Sequence, residues 1–343
     1  MEVEPTGLVE QDHDYESAMA TARFSRSGWK TDWSYHTVPY SDFLSGGPPR
    51  DGIPALDNPT FVTTEEADGW LSEKEPVISF EMNGVQRAYP LQILMWHEVV
   101  NDEVGGVPVT ATFCPLCNSA IVFERTVNDM VLDFGSSGNL RNSDLVMWDR
   151  QTESWWQQLT GEAIIGRLAG TKLNFLAAPI VSWSDFKTLQ PDGMVLSKDT
   201  GFNRRYGSNP YVGYDSVDNP PFLFTGELDG RLQPKERVAA ITVDGVDAAF
   251  PYSVLAQEGV INYLVNGIDV AVFDATLDGR SLSFTSTDNS FTDAETNSTW
   301  NILGQATDGP LVGEQLSKIV HGDHFWFAWA AFKPDTLIYE EES

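Results

Sequence analysis

Two stretches of this 343-residue chain repeat one pattern, and that repetition limits what the chain can fold into more than any other feature. Across residues 77–90, two short β-prone runs flank Asn83-Gly84; across residues 238–251, two similar runs flank Asp244-Gly245. Asn-Gly and Asp-Gly readily take the two positive φ angles of a tight turn, so each stretch predicts a two-residue β-hairpin. The likeness runs on through 91–101 and 252–262, each read as a short helix and its exit, and through 106–109 and 267–270, each read as a strand. It resumes where Asp149, Thr152, Ser154 and Trp156 match Asp293, Thr296, Ser298 and Trp300. The offset is 161 positions between Gly84 and Gly245 but 144 between Asp149 and Asp293, so the second copy is shorter by 17 residues.

The pattern predicts an α+β, strand-rich fold made of two diverged copies of one unit, packed about a pseudo-twofold axis. Residues 1–75 read as an N-terminal wrapping segment, 76–200 as the first repeat, 201–236 as a linker and 237–343 as the second, shortened repeat. A pocket at the junction of the two halves is the default place for a site.

Composition narrows the partners. A hydrophobic content of 41% supports a real core, and 50 acidic against 21 basic side chains give a formal charge of −29, which excludes nucleic acid as an expected partner. Acidic runs such as Glu65-Glu66-Ala67-Asp68 and Glu340-Glu341-Glu342 are spread along the chain, the pattern of a salt-adapted, halophilic surface. No run of about eighteen apolar residues occurs, and Met1-Glu2-Val3-Glu4 lacks a basic leader, so neither a membrane span nor a signal peptide is expected.

The only two cysteines, Cys114 and Cys117, form a C-x-x-C in the region that the second copy lacks. They follow an apparent strand over 107–113 and precede another over 118–123, whereas a thioredoxin-type pair opens a helix; a thioredoxin fold is disfavoured. The pair could act as a redox dithiol, grip a soft metal, or form a permanent disulfide, although a ring this small removes little unfolded-state entropy. Histidine is also scarce. His97, in Trp96-His97-Glu98, occurs where the second copy has Glu258, and His321 and His324 occur where the first was matched to Phe175 and Ala178. If the halves face one another, Cys114, Cys117, His97 and His324 make an S₂N₂ set suited to copper or zinc, with Glu98 orienting an imidazole; a buried or surface histidine without a ligand is the simpler reading. The polar run from Ser136 to Asp144, with Arg141 and Arg150, could line a small-anion pocket or be turn chemistry, and the duplicated Asp-x-x-Thr-x-Ser-x-Trp pattern reads as structural.

Several of these words together resemble the bacterial and archaeal family known as domain of unknown function 3179: Arg87-Ala88-Tyr89-Pro90-Leu91, Trp96-His97-Glu98, Thr112-Phe113-Cys114-Pro115-Leu116-Cys117-Asn118-Ser119-Ala120 and Asp149 to Gln158. The resemblance spans about residues 49–339, of a haloarchaeal type, and names no reaction. Selenoprotein members, and members with threonine at the position of Cys117, imply that Cys114 is the more essential sulfur and that redox chemistry is favoured. Export signals in many members suggest an extracytoplasmic location. The leading expectation is a redox protein, an oxidoreductase if it is an enzyme, with Cys114 as reactive thiolate, Cys117 as resolving thiol, His97 as the base or charge neighbour and Glu98 behind it. It would act on a small molecule or redox partner. The alternatives are a copper or zinc binding protein using Cys114, Cys117, His97 and His324, and an extracellular structural module with a permanent disulfide.

Overall fold

The computed structural model of the chain describes residues 4–273, 276–278, 284–287 and 290–340. Met1 to Val3, Glu341 to Ser343, and most of the stretch where the second copy is shorter lie outside the described residues.

The first unit is built from two hairpins joined by a helix. Strands β1 (Pro76–Met82) and β2 (Val85–Pro90) turn at Asn83 and Gly84, whose φ angles are 51° and 77°. Pro90 fixes an extended entry into helix α1 (Leu91–His97), and β3 (Val99–Val104) and β4 (Val107–Cys114) follow with a second turn at Gly105-Gly106. Next come β5 (Ser119–Glu124), β6 (Phe134–Arg141), β7 (Asp144–Asp149) and β8 (Trp155–Gln157). The later region repeats the opening order with β9 (Arg237–Val243), β10 (Val246–Pro251), α2 (Tyr252–Glu258), β11 (Ile261–Val265) and β12 (Ile268–Val272). It closes with β13 (His321–Phe325) and α3 (Trp326–Phe332). The strand-rich α+β expectation is met.

Sheet order shows how far the two regions match. β1 pairs antiparallel with Ile180–Ser182, a helix at Trp183–Leu189 follows, and Met194–Leu196 then runs parallel beside β2. In the same way β9 pairs antiparallel with β13, α3 follows, and Leu337–Ile338 runs parallel beside β10. Because Val77 faces Val181 and Val238 faces His324, the register puts Val181 in the place of His324. The matching of His321 and His324 to Phe175 and Ala178 is therefore three residues out of step, and the register instead aligns Trp183 with Trp326.

The Asp-x-x-Thr-x-Ser-x-Trp words fold identically. The Asp149 carboxylate accepts from the Thr152 amide (2.6 Å), the Thr152 hydroxyl (2.8 Å) and Trp156 Nε1 (2.9 Å). Asp293 accepts from the Thr296 hydroxyl at 2.8 Å and Trp300 Nε1 at 2.9 Å, with the Thr296 amide as well. Each word ties a turn to a fully buried tryptophan, which supports the structural reading.

Residues before β1 pack on the sheet formed by Phe43–Ser45, β6, β7, β8 and Glu162–Ile165, where Trp33, Tyr40, Phe43 and Trp155 form one aromatic cluster. Gly138, at φ 76°, lets the backbone around Pro48 and Pro49 lie so close that a Cβ there would meet the Pro48 carbonyl at 2.2 Å. Among the described residues no helix is long and apolar enough to cross a membrane.

Candidate functional site

The two cysteines occupy the turn of a β-hairpin. β4 ends on Cys114, β5 begins at Ser119, and the Cys117 amide donates to the Cys114 carbonyl at 3.2 Å. Asn118 takes the left-handed conformation, at φ 52°, that closes this turn. Both cysteines are buried free thiols, so the pair is not closed as a disulfide.

Beside the thiols stands Asp144, the first residue of β7. One carboxylate oxygen, Oδ2, accepts from Gln157 Nε2 at 2.6 Å and from the Leu159 amide at 2.9 Å, while the buried Oδ1 has no such partner. A carboxylate oxygen and the two Sγ atoms all lie within 4.8 Å of one another. Cys114 Sγ is also 3.8 Å from the Ser143 carbonyl. The sequence marked Asp144 at the end of a polar run and in the family word Asp144-Leu145-Val146-Met147, but gave it no role beside the cysteines.

Glu98 is a further buried acid whose charge acts on Cys114 and which is acted on by Asp144. It follows α1 at φ 59° and ψ −30°, a left-handed backbone that is strained for a residue with a side chain. The matching cap of α2 is Gly259, at φ 75° and ψ −32°, which adopts that conformation without penalty. The Phe113 amide bonds the Glu98 carbonyl at 2.8 Å, which holds this residue beside the strand that carries Cys114.

Electrostatics within the cluster are one-sided. Burial, with the nearby Asp144 charge, pushes Glu98 up to about 8, against a hydrogen bond from Ser136. Burial likewise lifts Asp144 to about 6, opposed by its Leu159, Gln157 and thiol contacts. Burial raises the Cys114 thiol as well; the Cys117 contact lowers it, while the charges of Asp144 and Glu98 add to the rise. Cys117 is raised still further, by burial and by Cys114. These shifts run against the expected low-pKa thiolate, because the sulfurs are buried and the charges acting on Cys114 among the described residues are those of Asp144 and Glu98.

The structure does not assemble the predicted histidine partners. His97 Nδ1 lies 2.7 Å from the Pro54 carbonyl and Nε2 lies 2.6 Å from the Tyr206 hydroxyl, so both ring nitrogens are engaged away from the sulfurs. Burial lowers its pKa, which removes the expected cationic neighbour, and Glu98 does not orient it. His324 also stands apart. The amide of the next residue, Phe325, bonds the Cys117 carbonyl at 2.8 Å, but the His324 ring stacks on Trp329 and is not among the metal-binding side chains grouped with the sulfurs. Among the described residues, the group of three or more metal-binding side chains is Cys114, Cys117 and Asp144, in place of the four-ligand set with His97 and His324. The expected anion pocket fares similarly, since Arg141 pairs with Asp42 and Arg150 with Asp57.

Residues 201–236, expected as a linker, lie over this hairpin. The Tyr214 hydroxyl donates to the Leu116 carbonyl at 2.9 Å, Ser143 Oγ donates to the Phe222 carbonyl, and Tyr206 holds His97. Tyr211 and Tyr214 pack against the core cluster that contains both cysteines, and burial raises both phenols. No motif in the sequence marked these tyrosines.

No curated protein and no solved structure matches the chain. A family model does match, over residues 50–336, which takes in the cysteine hairpin, Glu98, Asp144 and both repeated regions, and the chain therefore belongs to the family described as protein of unknown function (DUF3179).

Proposed function

We propose that this protein binds one soft divalent metal ion, with zinc the best fit, through Cys114, Cys117 and Asp144. The observation that carries the reading is the grouping of two thiols and a carboxylate oxygen within 4.8 Å in a buried site. Burial raises the pKa of all four groups, Glu98 among them, and the Asp144 charge adds to the rise at Glu98 and both thiols; a bound cation would oppose those shifts and hold the thiols as thiolates. Mixed thiolate and carboxylate donors suit zinc better than copper, which favours sulfur and nitrogen when reduced. Three protein ligands would leave a fourth position open, the arrangement of a zinc ion that also binds water or substrate, with Glu98 near enough for its charge to act on Cys114.

The test is the metal content of protein purified without chelator. About one equivalent of zinc is expected, lost on Asp144→Asn; less than about a tenth of an equivalent, with both cysteines reduced, overturns the reading.

Dithiol redox chemistry is the second reading, favoured by the direct contact of the two thiols and by Asp144, which would accept the Cys117 proton. The dithiol would pass two electrons to a disulfide-bearing partner by exchange, closing the Cys114–Cys117 bond. With Cys114 only 2% exposed, the tyrosine-bearing cover would have to lift first. We further propose that the two matched regions are diverged copies of one unit about a pseudo-twofold axis, and that the acidic surface is adapted to high salt. The support is their shared sheet order and the net charge of −29.

A further inference from the structure

A cavity of about 530 Å³ lies beside β13, with walls from both matched regions. Ile121, Leu159 and Phe175 line it from the first, and Ala240, His324 and Trp329 from the second. Its volume is that of a small-molecule site. Its charged groups are already matched: Lys333 Nζ lies 2.9 Å from Asp247, and Lys172 Nζ lies 4.0 Å from Glu162.

What the cavity leaves unmatched is imidazole. His324 is 1% exposed, yet among the described residues its fully buried Nδ1 has no hydrogen-bond partner. The ring folds over Gly322, where an added Cβ would lie 2.1 Å from Nε2, so glycine is the residue that gives this imidazole its place. His321 donates Nδ1 to the Ile319 carbonyl at 3.1 Å and keeps Nε2 without a partner. A buried polar atom left unpaired costs about 1–3 kcal/mol; His324 Nδ1 is sealed from solvent, so a hydroxyl bound in the cavity would meet the ring at Nε2. None of these groups belongs to the cysteine cluster.

We propose that this cavity binds a small uncharged aromatic molecule carrying a hydroxyl group. The rings of Phe175, Trp329 and Phe332 take its flat face, and His324 takes its hydroxyl. A charged ligand would find no counter-ion free to meet it.

The test uses the full chain and the fluorescence anisotropy of 2-naphthol, with naphthalene and naphthalene-2-sulfonate as competitors. One naphthol per chain is expected, with naphthalene about tenfold weaker and the sulfonate without effect. His324→Phe keeps the stacked ring and removes its nitrogens; it should weaken naphthol about tenfold and leave naphthalene unchanged. Val320→Trp, at a rim position 37% exposed and therefore tolerant of change, should block both. Competition by the sulfonate equal to that of naphthalene, or naphthol affinity unchanged in both variants, overturns the proposal.

Discussion

At the ends of α1 and α2 the chain makes the same turn with opposite residues, and the contrast separates structure from chemistry. Gly259 is what the backbone wants there; Glu98 is what the cysteine region holds there in spite of the backbone. A buried carboxyl in a left-handed conformation, beside two thiols and Asp144, is a feature the fold tolerates and does not need. The Asp149 and Asp293 turns teach the reverse, since the same donors meet the same acid in a region with the cysteines and in one without them.

The largest effects should therefore fall where the regions agree. Asp149→Ala and Asp293→Ala each strand two threonine donors and a buried indole N–H, and each should lose about 3–5 kcal/mol of stability in denaturant titration. A loss below about 1 kcal/mol at either site would show that the shared geometry is not shared energetics. The environments still differ: burial leaves Asp149 raised, whereas at Asp293 burial is outweighed by bonds from Trp300, Thr296 and Ser298, which leave it lowered.

Next come the changes confined to the first region. Cys114→Ser or Asp144→Asn should weaken zinc at least about a hundredfold, read by competition with a chromophoric chelator. Trp300→Phe, in the other region, should leave zinc affinity unchanged. Equal zinc affinity in all three variants would end the distinction between the regions.

Glu98→Gly converts one cap into the other. In metal-free protein it should raise stability by about 1–3 kcal/mol, because it removes both backbone strain and a buried acid. Gly259→Ala should cost about 1 kcal/mol by the opposite change. No gain in Glu98→Gly would mean that the Glu98 conformation carries no strain.

The smallest effects are in pH dependence, and their signs differ between the regions. Folding raises Glu98 from 4.5 to about 8, so the native metal-free protein keeps a proton that the unfolded chain releases, and stability falls as pH rises through that window. Folding lowers His324 from 6.5 to about 3, chiefly by burial, so stability falls as pH drops through that range. Denaturation midpoints between pH 4 and 8 should show a flatter alkaline side in Glu98→Gln and a flatter acid side in His324→Phe. Slopes unchanged from the parent protein would sink both assignments.

Much of the framework was legible locally. Asn83-Gly84 and Asp244-Gly245 encode their hairpins through φ alone, and Pro90 and Pro251 mark the helix entries. The cysteine turn was legible for the same reason, since it lies between two strand-forming runs. Much of the site was not. His97 looked like a partner for Cys114 because it is scarce and near in sequence, but its nitrogens go to Pro54 and Tyr206, one of them 109 positions away. Asp144 is 27 positions from Cys117 in the chain and reaches it only because β7 lies beside the cysteine hairpin.

By itself, then, the sequence determined the repeated hairpins, the turn that carries Cys114 and Cys117 and the acidic surface, all of which depend on local backbone preference or on composition. Tertiary structure decided which side chains meet the sulfurs. It brought Asp144 and Glu98 in, turned His97 and His324 away and laid Tyr211 and Tyr214 over the top, because those contacts depend on strand register and sheet packing, which no short stretch of sequence encodes.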